Sequence, residues 1–214
     1  MLKQLFQKYK CDKSSKHSYD ICYEKHFQPV KNSPINILEI GIFKGESMNA
    51  WLEYFPNATI YGVDIFHRIK EHELPILQNP RVKYLKLDSI KDTAKNIVET
   101  QWTNTKFDFI IDDGLHTPYA NRLTFLNFID FLKDDGIFFI EDVFPIDQMK
   151  TPHPWFKKSG RSEEYTLEEY RKFIETLKPY NVTHIDNRKI TQEPDSYIIE
   201  IQKKCNSNNL KTNI

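Results

Sequence analysis

From about residue 35 to residue 202, short β-rich apolar runs alternate with amphipathic stretches. Asn36–Ile40, Thr59–Asp64, Val82–Leu87, Phe107–Ile111 and Gly136–Ile140 are strand-sized and bounded by turn residues. Between them, Glu46–Phe55 reads as a helix stopped by Pro56 and Asn57. Ile90, Ala94, Ile97 and Val98 mark one face of a second helix, and residues 118–133 carry an apolar stripe through Leu123, Leu126, Ile129 and Leu132. Thr166-Leu-Glu-Glu169 is a capping box, in which the Thr166 hydroxyl takes the Glu169 amide at the start of a helix that runs to about Lys178. Val182–Ile185 and Ser196–Ile201 have no helix expected between them, which predicts an antiparallel edge pair. Strand–helix alternation of this kind predicts an α/β fold, a mostly parallel sheet covered by helices on both faces. Residues 1–34 are too short for a second domain and are expected as a helical cap on the ligand end of a domain spanning 35–205; the polar tail 206–214 is expected to fray.

Composition adds exclusions. A 39% hydrophobic, 14% aromatic chain of 214 residues can bury a core without disulfides or structural zinc. Thirty basic and thirty acidic residues sum to zero, which argues against nucleic acid or an anionic membrane surface as partner. No run approaches the ~18 apolar residues of a membrane span, and the N-terminus lacks the apolar centre of a signal peptide. Cys11, Cys22 and Cys205 form no CxxC spacing and read as reduced thiols, so a cytoplasmic location is expected.

The stretch Ile37-Leu-Glu-Ile-Gly-Ile-Phe-Lys-Gly-Glu-Ser47 runs from a strand through two glycines into a helix. Gly41 permits a sharp turn and a close approach, and Gly45 opens a helix whose first amides face a ligand. Asp64 ends the next strand, where a carboxylate accepts from ribose hydroxyls. Asp88 and Ser89 end the third, placed for an adenine edge. The glycine spacing is G-x-x-x-G rather than the dinucleotide G-x-G-x-x-G, with Ile42 and Phe43 where the middle glycine belongs. A pyrophosphate cannot approach that backbone closely. S-adenosylmethionine, which has none, tolerates the bulkier loop, with Glu39, Gly41, Gly45, Ser47, Asp64, Asp88 and Ser89 as its expected contacts. The alternative is a βα turn whose glycines serve packing alone.

The fourth strand ends Ile111-Asp-Asp-Gly-Leu-His116 and the fifth Ile140-Glu-Asp142. As neighbours about 4.8 Å apart, these strands would gather Asp112, Asp113, Glu141 and Asp142 beside the cofactor. Carboxylates so placed repel one another unless a hard cation such as Mg²⁺ or Mn²⁺ offsets their charge. Alternation along the strand allows three ligands, for which Asp113, Glu141 and Asp142 are preferred, with Asp112 left to the cofactor. His116, one turn beyond, is the candidate general base: an alcohol needs proton removal and a lowered pKa, whereas an amine acceptor needs no metal. Methylation at oxygen is therefore expected. Acids that merely cap helices or line a solvated rim are the competing reading. Beyond the fifth strand, Val143–Tyr165 holds His153, Trp155, Lys157, Lys158 and Arg161, able to stack on a sugar and meet a phosphate or carboxylate.

Glu39-Ile-Gly-Ile-Phe-Lys-Gly45, Asp64 and the terminal strand pair resemble the class I S-adenosylmethionine-dependent methyltransferases over about residues 35–202. That resemblance implies a Rossmann-like seven-stranded sheet, order 3-2-1-4-5-7-6, with strand 7 antiparallel. Asp112-Asp-Gly-Leu-His116 with Glu141-Asp142 further resembles the metal-dependent mycinamicin- and macrocin-type sugar O-methyltransferases, as does Asp12-Lys-Ser-Ser-Lys-His-Ser-Tyr19 with Tyr23-Glu-Lys-His-Phe27. By position the resemblance gives Asp113, Glu141 and Asp142 as metal ligands and His116 as base. It also makes Lys13, His17 and Tyr19 part of a lid over cofactor or acceptor. Leu115 departs from the small polar residue usual there. Without the resemblance, Asp12–Phe27 reads as the start of a polar surface helix. The expected activity is metal-assisted O-methylation of a saccharide or similar small metabolite, phosphorylated ones included, as in polysaccharide or natural-product biosynthesis. The alternatives are a non-catalytic S-adenosylmethionine-binding or scaffold protein and a metal-dependent hydroxylase-like enzyme. The partner expected is a small-molecule acceptor, with no nucleic acid and no membrane; a homodimer is left open.

Overall fold

A computed structural model describes residues 1–204, and among these seven strands form one sheet in the order β3-β2-β1-β4-β5-β7-β6. The strands are β1 (Asn36–Ile40), β2 (Thr59–Asp64), β3 (Val82–Lys86), β4 (Phe107–Asp112), β5 (Leu132–Ile140), β6 (Asn181–Asp186) and β7 (Tyr197–Gln202). β1 to β5 run parallel, and β7 is antiparallel to both β5 and β6. The order and the reversed strand are those expected. Cys205 and the tail 206–214 lie outside the described residues.

Helices cover both faces because the central strands are apolar on both. Leu38, Ile40, Ile110, Phe138 and Ile140 pack into one core with α5 (Ala94–Gln101), α6 (Pro118–Phe128) and α8 (Leu167–Leu177). Ile37, Phe109, Ile111 and Phe139 pack into the other with α1 (Leu2–Tyr9), α3 (Asp20–Phe27) and α4 (Glu46–Tyr54). The first 34 residues, which also hold α2 (Asp12–Ser15), are thus core-building: Leu2, Phe6, Tyr23 and Phe27 are fully buried. Phe27 alone stands within aromatic contact of Trp51, Phe55, Phe109 and Phe139. The reading of Asp12–Phe27 as a polar surface helix is corrected here, since Lys13, His17, Tyr19, Tyr23 and Phe27 are all buried.

Three boundaries differ from expectation. α5 starts at Ala94, because Asp88 to Thr93 form turns, so Ile90 lies outside the helix. α6 ends at Phe128 and β5 begins at Leu132, where Leu132 pairs with Phe107 before a register shift. A short helix, α9 (Arg188–Thr191), sits between β6 and β7, while α7 (Pro154–Lys158) breaks the segment after β5. The capping box is half formed: Thr166 Oγ1 accepts from the Glu169 amide at 3.1 Å.

Candidate active site

The carboxyl ends of β1 to β5 open on one cleft of about 840 Å³. Its first half is built by the glycine loop. Gly41 has φ +96°, and a Cβ there would stand 2.1 Å from the Asp113 carbonyl oxygen. Glycine is therefore required by the approach of β4 behind the loop, a different close contact from the ligand approach expected. Gly45, at φ +71°, is the residue from which α4 starts. Asp64 accepts at Oδ2 from the amides of Ile42 (2.8 Å) and Phe43 (3.0 Å), and at Oδ1 from Phe66 (2.6 Å). Its carboxylate thus folds the loop, and a carboxylate still has lone pairs left for a ligand. Gly41, Ser47, Asp64, Asp88 and Ser89 line the cleft. Glu39, Gly45 and Asp112 do not. Glu39 is fully buried, its Oε2 accepting from the Trp51 indole at 3.1 Å. Asp112 is buried under Asn121, which donates at 3.2 Å, and burial pushes its carboxyl up to about 6.

The second half holds the acids. Asp113, His116 and Asp142 each offer a ligand atom, all within 4.8 Å of one another, and Glu141 lines the same wall. His116 Nε2 stands 3.6 Å from Asp113 Oδ1, while its Nδ1 is buried without a hydrogen-bond partner. The carboxylate oxygens are donors that suit Mg²⁺ or Mn²⁺, whereas an imidazole suits softer metals, so His116 stands beside the acids rather than among the ligands of a hard cation. Glu141 is otherwise engaged: Lys13 donates to Oε2 and the Tyr23 hydroxyl to Oε1. Lys13 also donates to Asp113 Oδ2 at 2.5 Å. Burial works against the Lys13 ammonium, yet Asp113, Glu141 and Glu39 hold its pKa well above the ordinary lysine value. The Tyr19 hydroxyl donates to Asp142 Oδ1 at 2.9 Å, and His17 Nδ1 lies 2.9 Å from Ser196 Oγ and 3.5 Å from Asp142 Oδ1. Lys13 and His17 line the cleft; Tyr19 stands behind it, against the acids.

Beyond the acids, Trp155, Lys158, Arg161 and Tyr165 form the far rim, and Arg161 is paired with Glu164 at 2.7 Å. His153 and Lys157 do not face the cleft: His153 caps α7 by accepting from the Trp155 amide. Phe43, His116 and Asp142 all line the cleft with left-handed backbones, φ +46°, +59° and +53°. Such strain gathers at functional sites. Sequence reasoning missed Phe43, Ile65, His67, Arg68 and Tyr165 as lining residues. His67 and Arg68 follow the end of β2 directly, so a reading extended past each strand end would have found them. It also missed Asp195, whose main-chain oxygen accepts from Tyr19 at 3.1 Å and whose Oδ1 lies 4.0 Å from His17.

Among the described residues no helix is long and apolar enough to cross a membrane. A family profile described as a methyltransferase domain matches residues 38–143. The chain is 28% identical over 137 residues to 8-demethyl-8-(2-methoxy-alpha-L-rhamnosyl)-tetracenomycin-C 3'-O-methyltransferase of Streptomyces olivaceus, covering 60% of this chain and 33% of that one. It is 27% identical over 135 residues to mycinamicin VI 2''-O-methyltransferase of Micromonospora griseorubida, covering 60% and 32%. The chain spans about a third of the length of the curated relatives it matches. In fold it is similar to a methyltransferase of the mycinamycin biosynthetic pathway, solved with Mg, SAH and mycinamycin VI. That likeness has a TM-score of 0.70 at 21% identity, covering 97% of this chain and 56% of the other.

Proposed function

Since the chain belongs to the class I S-adenosylmethionine-dependent methyltransferases, related to the mycinamicin- and tetracenomycin-type sugar O-methyltransferases, we propose that it methylates a hydroxyl of a saccharide or similar small metabolite with the help of a divalent metal. The observation that carries this reading is the meeting of Asp113, His116 and Asp142 beside the glycine loop. Likeness to a 3'-O-methyltransferase of a rhamnosyl-tetracenomycin and to a mycinamicin VI 2''-O-methyltransferase supports the acceptor class.

When bound, S-adenosylmethionine supplies an electrophilic methyl group. Asp113 and Asp142, with Glu141 once Lys13 releases its Oε2, would hold a divalent ion, whose positive charge would lower the pKa of an acceptor hydroxyl. The protein's own part is orientation and proton transfer. Asp64, Asp88 and Ser89 orient the adenosyl end, and the loop from Gly41 to Ser47 shapes the floor. His116 takes the acceptor proton at Nε2, a service worth roughly 10²–10⁴-fold. Trp155 and Arg161 meet the acceptor from the far rim, the indole by stacking and the guanidinium through any anionic group.

Calorimetry with S-adenosylhomocysteine, with and without Mg²⁺ or Mn²⁺, on wild type and Asp113→Ala tests the reading. The wild type should bind both, and the variant should keep the cofactor while losing metal affinity at least tenfold. Absence of cofactor binding under every condition overturns the reading. Cofactor binding with no metal heat reduces the acids to a structural rim.

A further inference from the structure

Lys13 sits where three strand ends deliver acids to one point. Its side chain is 2% exposed, and its Nζ donates to Asp113 beyond β4 and Glu141 beyond β5. A third acid, Glu39 of β1, stands with Oε1 at 3.6 Å from the same nitrogen. That distance is outside hydrogen-bond reach, and Glu39 Oε1 is buried without any hydrogen-bond partner. The arrangement therefore offers one ammonium two seats. One seat lies between Asp113 and Glu141 and is taken; the other, on Glu39 Oε1, has no hydrogen-bond donor and stands 3.6 Å from the same nitrogen. The first seat is shared with two acids of the metal reading above, on which this inference rests.

We infer that Lys13 is a two-position counter-cation: it bridges Asp113 and Glu141 when no metal is bound, and moves to Glu39 Oε1 when a divalent ion takes those two carboxylates. An ammonium and a divalent ion cannot share one carboxylate pair without strong repulsion, whereas Glu39, fully buried behind the cleft wall, accepts the ammonium and leaves the acids to the metal. Lys13 belongs to the short helix α2, and Tyr19 and Tyr23 of the same N-terminal segment hold Asp142 and Glu141. Metal loading is thereby coupled to the seating of residues 12–23. In this role Lys13 is a positioning residue: it offsets the repulsion between the acids and sets how tightly the metal binds.

The test is a double-mutant cycle of Mn²⁺ binding by calorimetry on wild type, Lys13→Met, Glu39→Gln and the double variant, with thermal melts as a check on folding. Lys13→Met should bind Mn²⁺ at least tenfold more tightly than wild type, because the competing ammonium is gone. Glu39→Gln should bind severalfold more weakly, because Lys13 has lost its second seat, and it should cost little once Lys13 is already Met. Lys13→Met binding no tighter than wild type overturns the inference and leaves the metal reading standing, as does an equal Glu39→Gln penalty in both backgrounds. No Mn²⁺ heat from any of the four removes both. If Lys13→Met does not fold, the wild type still decides. With ¹³C-labelled lysine, the Lys13 Cε signal should move on saturation with Mg²⁺, and the same titration of Glu39→Gln should give a different end point. A Lys13 signal that ignores Mg²⁺ overturns the inference.

Discussion

Gly41→Ala puts the most specific contact of the cleft under load. The alanine methyl would lie 2.1 Å from the Asp113 carbonyl oxygen and 2.7 Å from its carbon, where real Cβ contacts essentially never fall below 3.0 Å. The obstacle is backbone, so no side chain can rotate away. It is also anchored: the Asp113 amide donates to Ile40 O at 2.9 Å, and the Gly41 amide to Val63 O at 2.8 Å. Relief requires the ends of β1 and β4 to part by nearly an ångström. Overpacking of this kind costs about 1–3 kcal/mol, and holding alanine at φ +96° adds about 1–3 kcal/mol more. The total, about 2–6 kcal/mol, is a large share of a typical domain's stability. Gly45→Ala is the control. Its φ of +71° is also unfavourable, but its methyl meets side-chain rather than backbone atoms, Ile76 Cγ2 nearest at 2.7 Å; about 1–2 kcal/mol is expected from the backbone. Urea unfolding followed by circular dichroism gives both values, and calorimetry with S-adenosylhomocysteine should show the larger affinity loss for Gly41→Ala. If Gly41→Ala costs no more than Gly45→Ala, the packing of β4 against the loop is not what fixes glycine there.

His116→Ala should keep S-adenosylhomocysteine affinity and lose at least 10²-fold in turnover, read by methyl transfer to a saccharide acceptor; a variant with full rate places the base elsewhere. Glu200 on β7 accepts from Cys22 Sγ and lies 3.0 Å from His26 Nε2, tying α3 to the sheet. Burial pushes its pKa up, but the hydrogen bonds from His26 and Cys22 outweigh this and hold it below the ordinary 4.5. A depressed carboxyl contributes stability above its unfolded pKa and loses it as pH falls through the folded one. Glu200→Gln should therefore cost about 1–2 kcal/mol at pH 7, with the gap to wild type closing below the ordinary carboxylate range; a gap independent of pH in urea melts would refute the assignment. Phe156→Ala removes the ring stacked on Tyr165 at 4.2 Å, so acceptor KM should rise several-fold while cofactor affinity stays within twofold; equal losses in both would mean that the segment supports the whole cleft.

Periodicity carried the strands because each is a short apolar run whose neighbours are set by the alternation itself. It carried the acids as well: Asp64 ends a parallel strand, Asp88, Asp113, Glu141 and Asp142 stand just past the ends of others, and such ends converge on one side of the sheet. It failed where structure depends on partners far along the chain. Lys13 finds Asp113 and Glu141 at separations of 100 and 128 residues, and His17 finds Ser196 at 179. No local pattern announces that a polar residue will be buried by acids so distant, so Asp12–Phe27 looked like a surface from its residues alone. The start of β5 failed for a related reason. Lys133-Asp-Asp-Gly136 has the composition of a turn, yet Leu132 pairs with Phe107 across the sheet and Lys133 is bonded to Asp108 at 2.8 Å.

The two walls of the cleft are anchored unequally, and this bears on how such a site can change its acceptor. The cofactor wall is backbone-built: Asp64 holds two loop amides, and Gly41 abuts Asp113. The acids are clamped from the opposite side by Lys13, Tyr19 and Tyr23, and the two tyrosine rings belong to the core built with α1, α3 and α4. A substitution on either is felt through the sheet. The far rim differs. Phe144, Phe156 and Tyr165 form a small aromatic cluster of their own, apart from the two cores that sandwich the sheet. Trp155 and Arg161 ride on that cluster, and Trp155 is 41% exposed. The rim meets the rest through few contacts, Ile146 packing against both clusters and Glu164 joining Arg161 to Thr117, and energetic coupling falls off where shared partners are few. On the proposed function, a rigid centre beside a loosely joined rim would let one site geometry take different acceptors.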